Sequence, residues 1–425
     1  MKTSKIAWGL IALVAGLGLG ACGGGGGTAA AGKNTTVGVV SAFGSVYVNG
    51  CEYETDSASI YVEGQSSSED DLSVGDVVVV TGPSNCTQAD AVSIKSADEL
   101  EGWVTQNASV AADGTVIFEA MGQPVKTTVM TTFEDYTGSV PTLADIVVDN
   151  VVEVHGFTTP DGITATRVEV KSADVSLYAG ELELKGLVIN LDSPIVGSFD
   201  IGGLTINYTS ASSYPQNLAN GLFVEVKFDT SKNPTIIEIE DDGKLGYHGD
   251  DDEEFEIYGI LTGVLNGDVF YLGDQKVQVT TTTEYEEVDE GKGPQLDVLL
   301  ADPNQVTSLY LEVEGYFVDG VLVADSVEFE DDTSDNNECK GTVTNLALEP
   351  GELNMGTLTV DASLNPAECE GLNSLNVTVN NSTIMEDDSS HNDSKFNLSA
   401  LQNGELVEVY FDPDTGTAIK LERED

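Results

Sequence analysis

Leu72-Ser73-Val74-Gly75-Asp76-Val77-Val78-Val79-Val80-Thr81-Gly82 carries the pattern that decides the fold. A Gly-Asp pair leads into an apolar run that stops at a second Gly. The run returns as Val151 to Gly156, Phe223 to Phe228, Tyr310 to Gly315 and Leu406 to Phe411, and all superpose on Val77 to Gly82 without gaps. Val78/Val80, Val152/Val154, Val224/Val226, Leu311/Val313 and Val407/Val409 stand two apart, with Val79, Glu153, Glu225, Glu312 and Glu408 between them. Period two with carboxylates on the alternate face describes a half-buried antiparallel strand.

Upstream of each run lies a Gly followed by apolar residues: Gly38, Gly102, Gly186, Gly259 and Gly341. Turn pairs break each middle region at Asn49-Gly50, Gly202-Gly203 and Gly273-Asp274, with Met121-Gly122 and Met355-Gly356 in the matching places. Such positions let the chain reach positive φ cheaply. Downstream, a closing strand is expected at 91–94, 166–170, 236–239, 326–329 and 418–421. Irregular insertions at 131–145, 285–303 and 380–398 fall between the third and fourth strands. A strand pattern repeating every 70 to 95 or so residues, with no amphipathic helix of three turns, predicts an all-β chain. The expected form is an extended tandem array of five small five-stranded OB-like β-barrels, with a sandwich of merged repeats as the alternative.

The order Gly-apolar opening, Val48-Asn49-Gly50-x-x-Tyr53, then Leu72-x-Val74-Gly75-Asp76-Val77 through Gly82, resembles domain-of-unknown-function family 5666. The resemblance implies tandem small β-barrel domains of the kind carried by bacterial lipoproteins. It implies no activity and supplies no site residues. It is clearest in the first repeat and weakest in the fifth, where 366–398 departs from the pattern.

The front of the chain reads as an address. Lys2 and Lys5 precede an apolar stretch from Ile6 to Leu19, which is shorter than the roughly 20 residues of a spanning helix and ends in Leu19-Gly20-Ala21-Cys22. A lipoprotein signal over 1–21 is expected, with Cys22 lipidated and 22–36 a Gly-rich tether. Gly rather than Asp after Cys22 points to the bacterial outer membrane. The remaining segments are repeats at 37–98, 99–175, 181–243, 257–331 and 332–425, with an acidic linker at 244–256.

Four cysteines remain, and four allow three pairings. Proximity favours Cys51 with Cys86 and Cys339 with Cys369, staples for the first and last repeats, which in a linear array lack a neighbour. The formal charge is −56 from 73 acidic and 17 basic residues, and loss of Lys2 and Lys5 makes it −58. Without a basic cluster, nucleic acid is not an expected partner. The three histidines, His155, His248 and His391, are scattered, so no catalytic set can be assembled locally and no enzyme is expected. No cofactor is assigned. Asp250-Asp251-Asp252-Glu253-Glu254 offers oxygen ligands for Ca2+ but lacks the spacing of an ion-binding loop, and reads first as a solvated linker. The expected function is a non-catalytic envelope lipoprotein, membrane-attached through its lipid, presenting its repeats to an envelope protein or polysaccharide. Glycan, small-molecule or divalent-cation binding is the alternative.

Overall fold

The computed structural model describes residues 34–425 apart from 84–86, 113, 160–161, 194–196, 209–212, 240–253, 267–268, 273–274, 288–308, 319–320, 333–336, 370, 390–392, 394 and 414. The signal, Cys22, Cys86, His248, His391 and Asp250 to Glu253 therefore lie outside the described residues. Described residues from Gly32 onward belong to one unit, all β, with helical geometry confined to single 3-10 turns such as Glu69–Asp71 and Leu143–Asp145.

The second repeat shows how one unit closes. Its first strand, Leu100–Val110, pairs with the second, Val116–Ala120, which pairs with the third, Gln123–Lys126. The third runs parallel to the last, Gly162–Ser172, which pairs with the fourth, Val151–Thr159, and the fourth returns to the first. The ring order is 1-2-3-5-4-1. The fourth repeat closes the same ring from Glu254–Asn266, Val269–Leu272, Gln275–Gln278, Leu309–Val318 and Val321–Asp332. In the fifth, the parallel contact is reduced to one bridge, Thr378 with Thr417. In the third, the hairpin Gly197–Ile201 and Leu204–Tyr208 stands as its own two-stranded sheet.

Local sequence explains the ring. Apolar residues at period two fill the interior, where Val152, Val154, Phe118, Val125 and Val168 are buried together. The opening Gly102 sits under the turn residue of its own repeat, because a Cβ there would strike the Met121 side chain. Met121 and Gly122 both adopt positive φ, as do Asn49 and Gly50. Met355-Gly356 does not form the corresponding turn. The first strand of the fifth repeat runs on to Leu348, and Gly356 already begins its second strand.

Two further expectations are corrected. The insertions hold an added strand, so the repeats are not simply five-stranded. Ser59–Val62, Thr132–Asp135, Glu284–Glu287 and Ile384–Asp387 each lie parallel to the closing strand of their repeat. A threonine fixes the approach in three of them: Thr131, Thr283 and Thr383 donate to the carbonyls of Ala165, Ala324 and Ala418 at 2.6, 2.7 and 2.8 Å. The strand was missed because it is only four residues long.

The repeats are also neither separate barrels nor a linear row. Thr35, Thr36 and Val37 run parallel to Phe255, Glu256 and Ile257, so the first and fourth repeats share one sheet. Glu183 and Leu184 pair antiparallel with Glu101 and Leu100, joining the second and third. The first strand begins at Asn34, inside the expected tether, because Thr35 and Thr36 also pair with Thr81 and Val80. Ala42 and Tyr47 enter the core of the fifth repeat. The first repeat thus shares a sheet with the fourth and packs into the core of the fifth.

Candidate functional site

With 17 basic against 73 acidic residues, each buried cation is informative. Arg167, Lys185, Lys420 and Arg423 are buried, and three of them join different repeats. Between the first and second repeats, Arg167 lies 2.7 Å from Glu134, 2.7 Å from Glu169 and 3.8 Å from Asp76. His155 Nε2 lies 2.9 Å from Glu153 and 3.5 Å from the same Asp76. Burial opposes a charged imidazole, but Asp76 and Glu153 outweigh it and hold His155 above the ordinary histidine range. Asp76 is placed by its Val-Gly-Asp turn, where its Oδ2 accepts from the Ser73 amide at 2.9 Å.

The second group reaches from the third repeat to the first. Lys185 contacts Glu63, Asp98 at 3.0 Å and its own Glu183 at 2.7 Å. One ammonium serves three carboxylates. Burial alone would raise Glu183, yet Lys185 draws it down to about 2, whereas burial prevails at Asp98 and drives it well above the usual carboxylate range.

The fifth repeat is attached by two more cations. Lys420 contacts Glu386 at 2.5 Å and Glu422 at 2.6 Å, and donates to the Thr131 carbonyl of the second repeat at 3.0 Å. Lys395 donates to the carbonyls of Glu69 and Leu72 and lies 3.6 Å from the centre of the Phe43 ring, all in the first repeat.

Beside these joints lies an open cleft of about 270 Å3. Ser41 and Asn49 come from the first repeat, Met130 from the second, Tyr258 and Glu312 from the fourth, and Asn380, Ser382, Ile384, Asp412 and Thr417 from the fifth. Its size is near the lower end for a small-molecule pocket. Two carboxylates and no Lys or Arg line it, so it disfavours anions. Tyr258 is stacked on Tyr310, ring centres 5.4 Å apart at 20°, and gives one wall a flat apolar face. Trp103 is unavailable as a platform, being 4 % exposed and packed edge-on against Phe228 at 5.4 Å.

The sequence-derived candidates are distributed elsewhere. Cys339 and Cys369 are joined by a disulfide inside the fifth repeat. Cys51 is disulfide-bonded as well, while Cys86 lies outside the described residues. Glu254 begins a strand, and the rest of its acidic run is not described. Carboxylates do gather elsewhere: Glu63, Asp98 and Glu183 around Lys185, and Glu408, Glu422 and Glu424 beside Lys340. In both groups a lysine ammonium already supplies the countercharge. Reading strand by strand missed the joints and the cleft because each is assembled from residues of separate repeats. Arg167, one of two arginines in the chain, was the available signal. Among the described residues, no helix is long and apolar enough to cross a membrane.

A family model described as domain of unknown function (DUF5666) matches five times, over residues 37–89, 101–169, 185–237, 258–328 and 340–421. Together the matches cover well over half of the chain. No curated protein matches it.

Proposed function

The chain belongs to the DUF5666 family, in five tandem copies, and on that premise we propose that it is a non-catalytic scaffold of the bacterial cell envelope, lipid-anchored through Cys22 at the outer membrane. Each repeat is taken as an OB-like barrel. The 1-2-3-5-4-1 ring, with its parallel contact between third and last strands, supports that reading. The observation that carries the proposal is the use of scarce cations. Arg167, Lys185, Lys395 and Lys420 are spent on joints between repeats, which makes one fixed body and leaves an acidic exterior for a partner protein or envelope polymer. The anchor rests on Leu19-Gly20-Ala21-Cys22. Cys22→Ser should move the protein from the membrane to the soluble fraction of fractionated cells. Retention with membranes would end the lipid-anchor reading.

A second reading is favoured by the cleft. Its hydroxyl and amide groups, two carboxylates and the Tyr258 face suit a neutral, hydroxyl-rich ligand the size of one sugar ring. Thermal unfolding against a panel of neutral oligosaccharides tests it, since a ligand at a hundred times its Kd adds about 2.7 kcal/mol. A shift abolished by Tyr258→Ala supports the cleft; the absence of a shift with every sugar rejects it.

A further inference from the structure

We propose that Lys420 and Glu386 of the fifth repeat join through a side-chain amide, formed with loss of water inside the folded protein. The cross-link goes beyond the scaffold reading and does not rest on it.

The two side chains meet because their strands run parallel. Ile384 pairs with Lys420 and Glu386 with Glu422, which puts Lys420, Glu422 and Glu386 on one face. Lys420 Nζ lies 2.5 Å from Glu386 Oε2 and 2.6 Å from Glu422 Oε1, and the lysine side chain is only 4 % exposed. The second repeat fixes both reactants from one short stretch of backbone. The Thr131 carbonyl accepts from Nζ at 3.0 Å, and the Phe133 amide donates to Glu386 Oε1 at 2.7 Å. Amine and carboxyl are thus held in contact, and reactants oriented in this way reach effective concentrations of about 10⁵ M or more.

Burial raises the Glu386 carboxyl to about 8 against the pull of Lys420, so it keeps its proton at neutral pH. Burial would also strip the Lys420 ammonium, but Glu386 and Glu422 hold it above the usual lysine range. Its proton must therefore pass to Glu422 before the amine attacks, which makes the reaction slow. A bond made once per molecule tolerates that. Amide hydrolysis in water is driven largely by ionisation of the acid released, and a site that keeps the acid neutral removes this drive.

The ammonium first gives one proton to the Glu422 carboxylate. Nζ then bonds to Cδ of Glu386, and the charge that develops on Oε1 faces the Phe133 amide. Nitrogen sheds a second proton to Oε2, the Cδ–Oε2 bond breaks, and Oε2 departs as water with that proton and its own. Glu422 afterwards returns its proton to solvent. No oxidant or other reactant enters. A cavity of about 40 Å3 lined by Glu386, Asp387, Thr132 and Phe133 has room for the water.

The second repeat holds the same register positions without an amine. Arg167 stands for Lys420, Glu134 for Glu386 and Glu169 for Glu422, with the guanidinium 2.7 Å from each carboxylate. A guanidinium stays charged and is no nucleophile, so that group remains ionic.

The test digests the reduced, urea-denatured full chain with chymotrypsin after the folded protein has stood at neutral pH, and maps the peptides by mass spectrometry. One species is expected to contain both the Glu386 and the Lys420 segments and to be one water lighter than their sum, with fragmentation placing the link at Glu386. Lys420→Arg, which copies the second repeat, should yield only the separate peptides while its circular dichroism matches the parent. Glu422→Gln should slow joining about a hundredfold or more. The proposal is overturned if the aged parent yields only separate peptides of full mass, if fragmentation places the link at another carboxylate, if the lighter species persists in Lys420→Arg, or if Glu422→Gln joins as fast as the parent.

Discussion

Glu183-Leu184-Lys185-Gly186 and Glu338-Cys339-Lys340-Gly341 occupy the same place in two repeats, share the same charge pattern, and end in different surroundings. Both lysines lie among carboxylates. Lys185 is 5 % exposed because the second repeat covers its strand edge and the first repeat brings Glu63 and Asp98 to it. Lys340, which contacts Glu408 and Glu424 of its own repeat, is 27 % exposed. Local sequence sets the strand and the face on which the lysine projects. The neighbouring repeat decides whether that face is a joint or a surface.

Removing each charge while keeping its apolar stem should separate the two sites most clearly. Lys185→Met leaves Glu63, Asp98 and Glu183 without their shared cation in a buried place, and breaking a buried pair from one side costs about 3–5 kcal/mol. Lys340→Met at the more exposed site should cost about 1 kcal/mol or less. Chemical denaturation of both variants measures the difference, and hydrogen exchange should show the Lys185→Met loss spreading into the first repeat. Equal losses at the two sites would mean that the joint contributes nothing beyond the local ion pair.

How much of this was legible in the sequence follows from range. The alternation at Val152/Val154 and its counterparts marks the fourth strand of every repeat, and the glycine openings mark the first, because those signals lie within a few residues. The all-β tandem repetition was expected correctly. The joints were not, since Thr35–Val37 meets Phe255–Ile257 across more than two hundred residues and no local period encodes that pairing. One signal was present and misread. Val77 to Val80 is apolar at every position, whereas the other four repeats place Glu where Val79 stands. A strand apolar on both faces is buried on both. Val78 and Val80 fill the core of the first repeat, while Val77 and Val79 pack into that of the fourth. Asp76 was read only as half of the Gly-Asp pair that leads into the strand, and its partners Arg167 and His155 come from another repeat's strands. The cleft depends on four repeats at once and had no sequence signature.

The pH dependence of stability sharpens the same comparison, because each lysine divides its carboxylates into one that ionises easily and others that do not. At the buried site, burial works against Glu183, but Lys185 holds it at about 2, while burial leaves Asp98 well above the usual carboxylate range. At the open site the division has the same sign: Glu408 is lowered, and burial beside its neighbours raises Glu338 and Glu424. A carboxylate with a depressed native pKa stabilises above its unfolded value, about 4.5, and that contribution is lost as pH falls toward the native value. A raised carboxyl acts oppositely, since the native state keeps a proton that the unfolded chain has released, and stability falls as pH climbs through the gap. His155, raised above about 6.5, adds loss in the same alkaline direction. Stability should therefore peak near pH 5 and decline on both sides, by about 1.4 kcal/mol per pH unit for each proton held differently. Asp98→Asn mimics the protonated acid and should flatten the decline above pH 5. Glu338→Gln, at the more solvated site, should change the profile much less. A profile that rises steadily from pH 5 to 8, or one that Asp98→Asn leaves untouched, would show that Lys185 neutralises all three of its carboxylates and that the joint carries no stored proton.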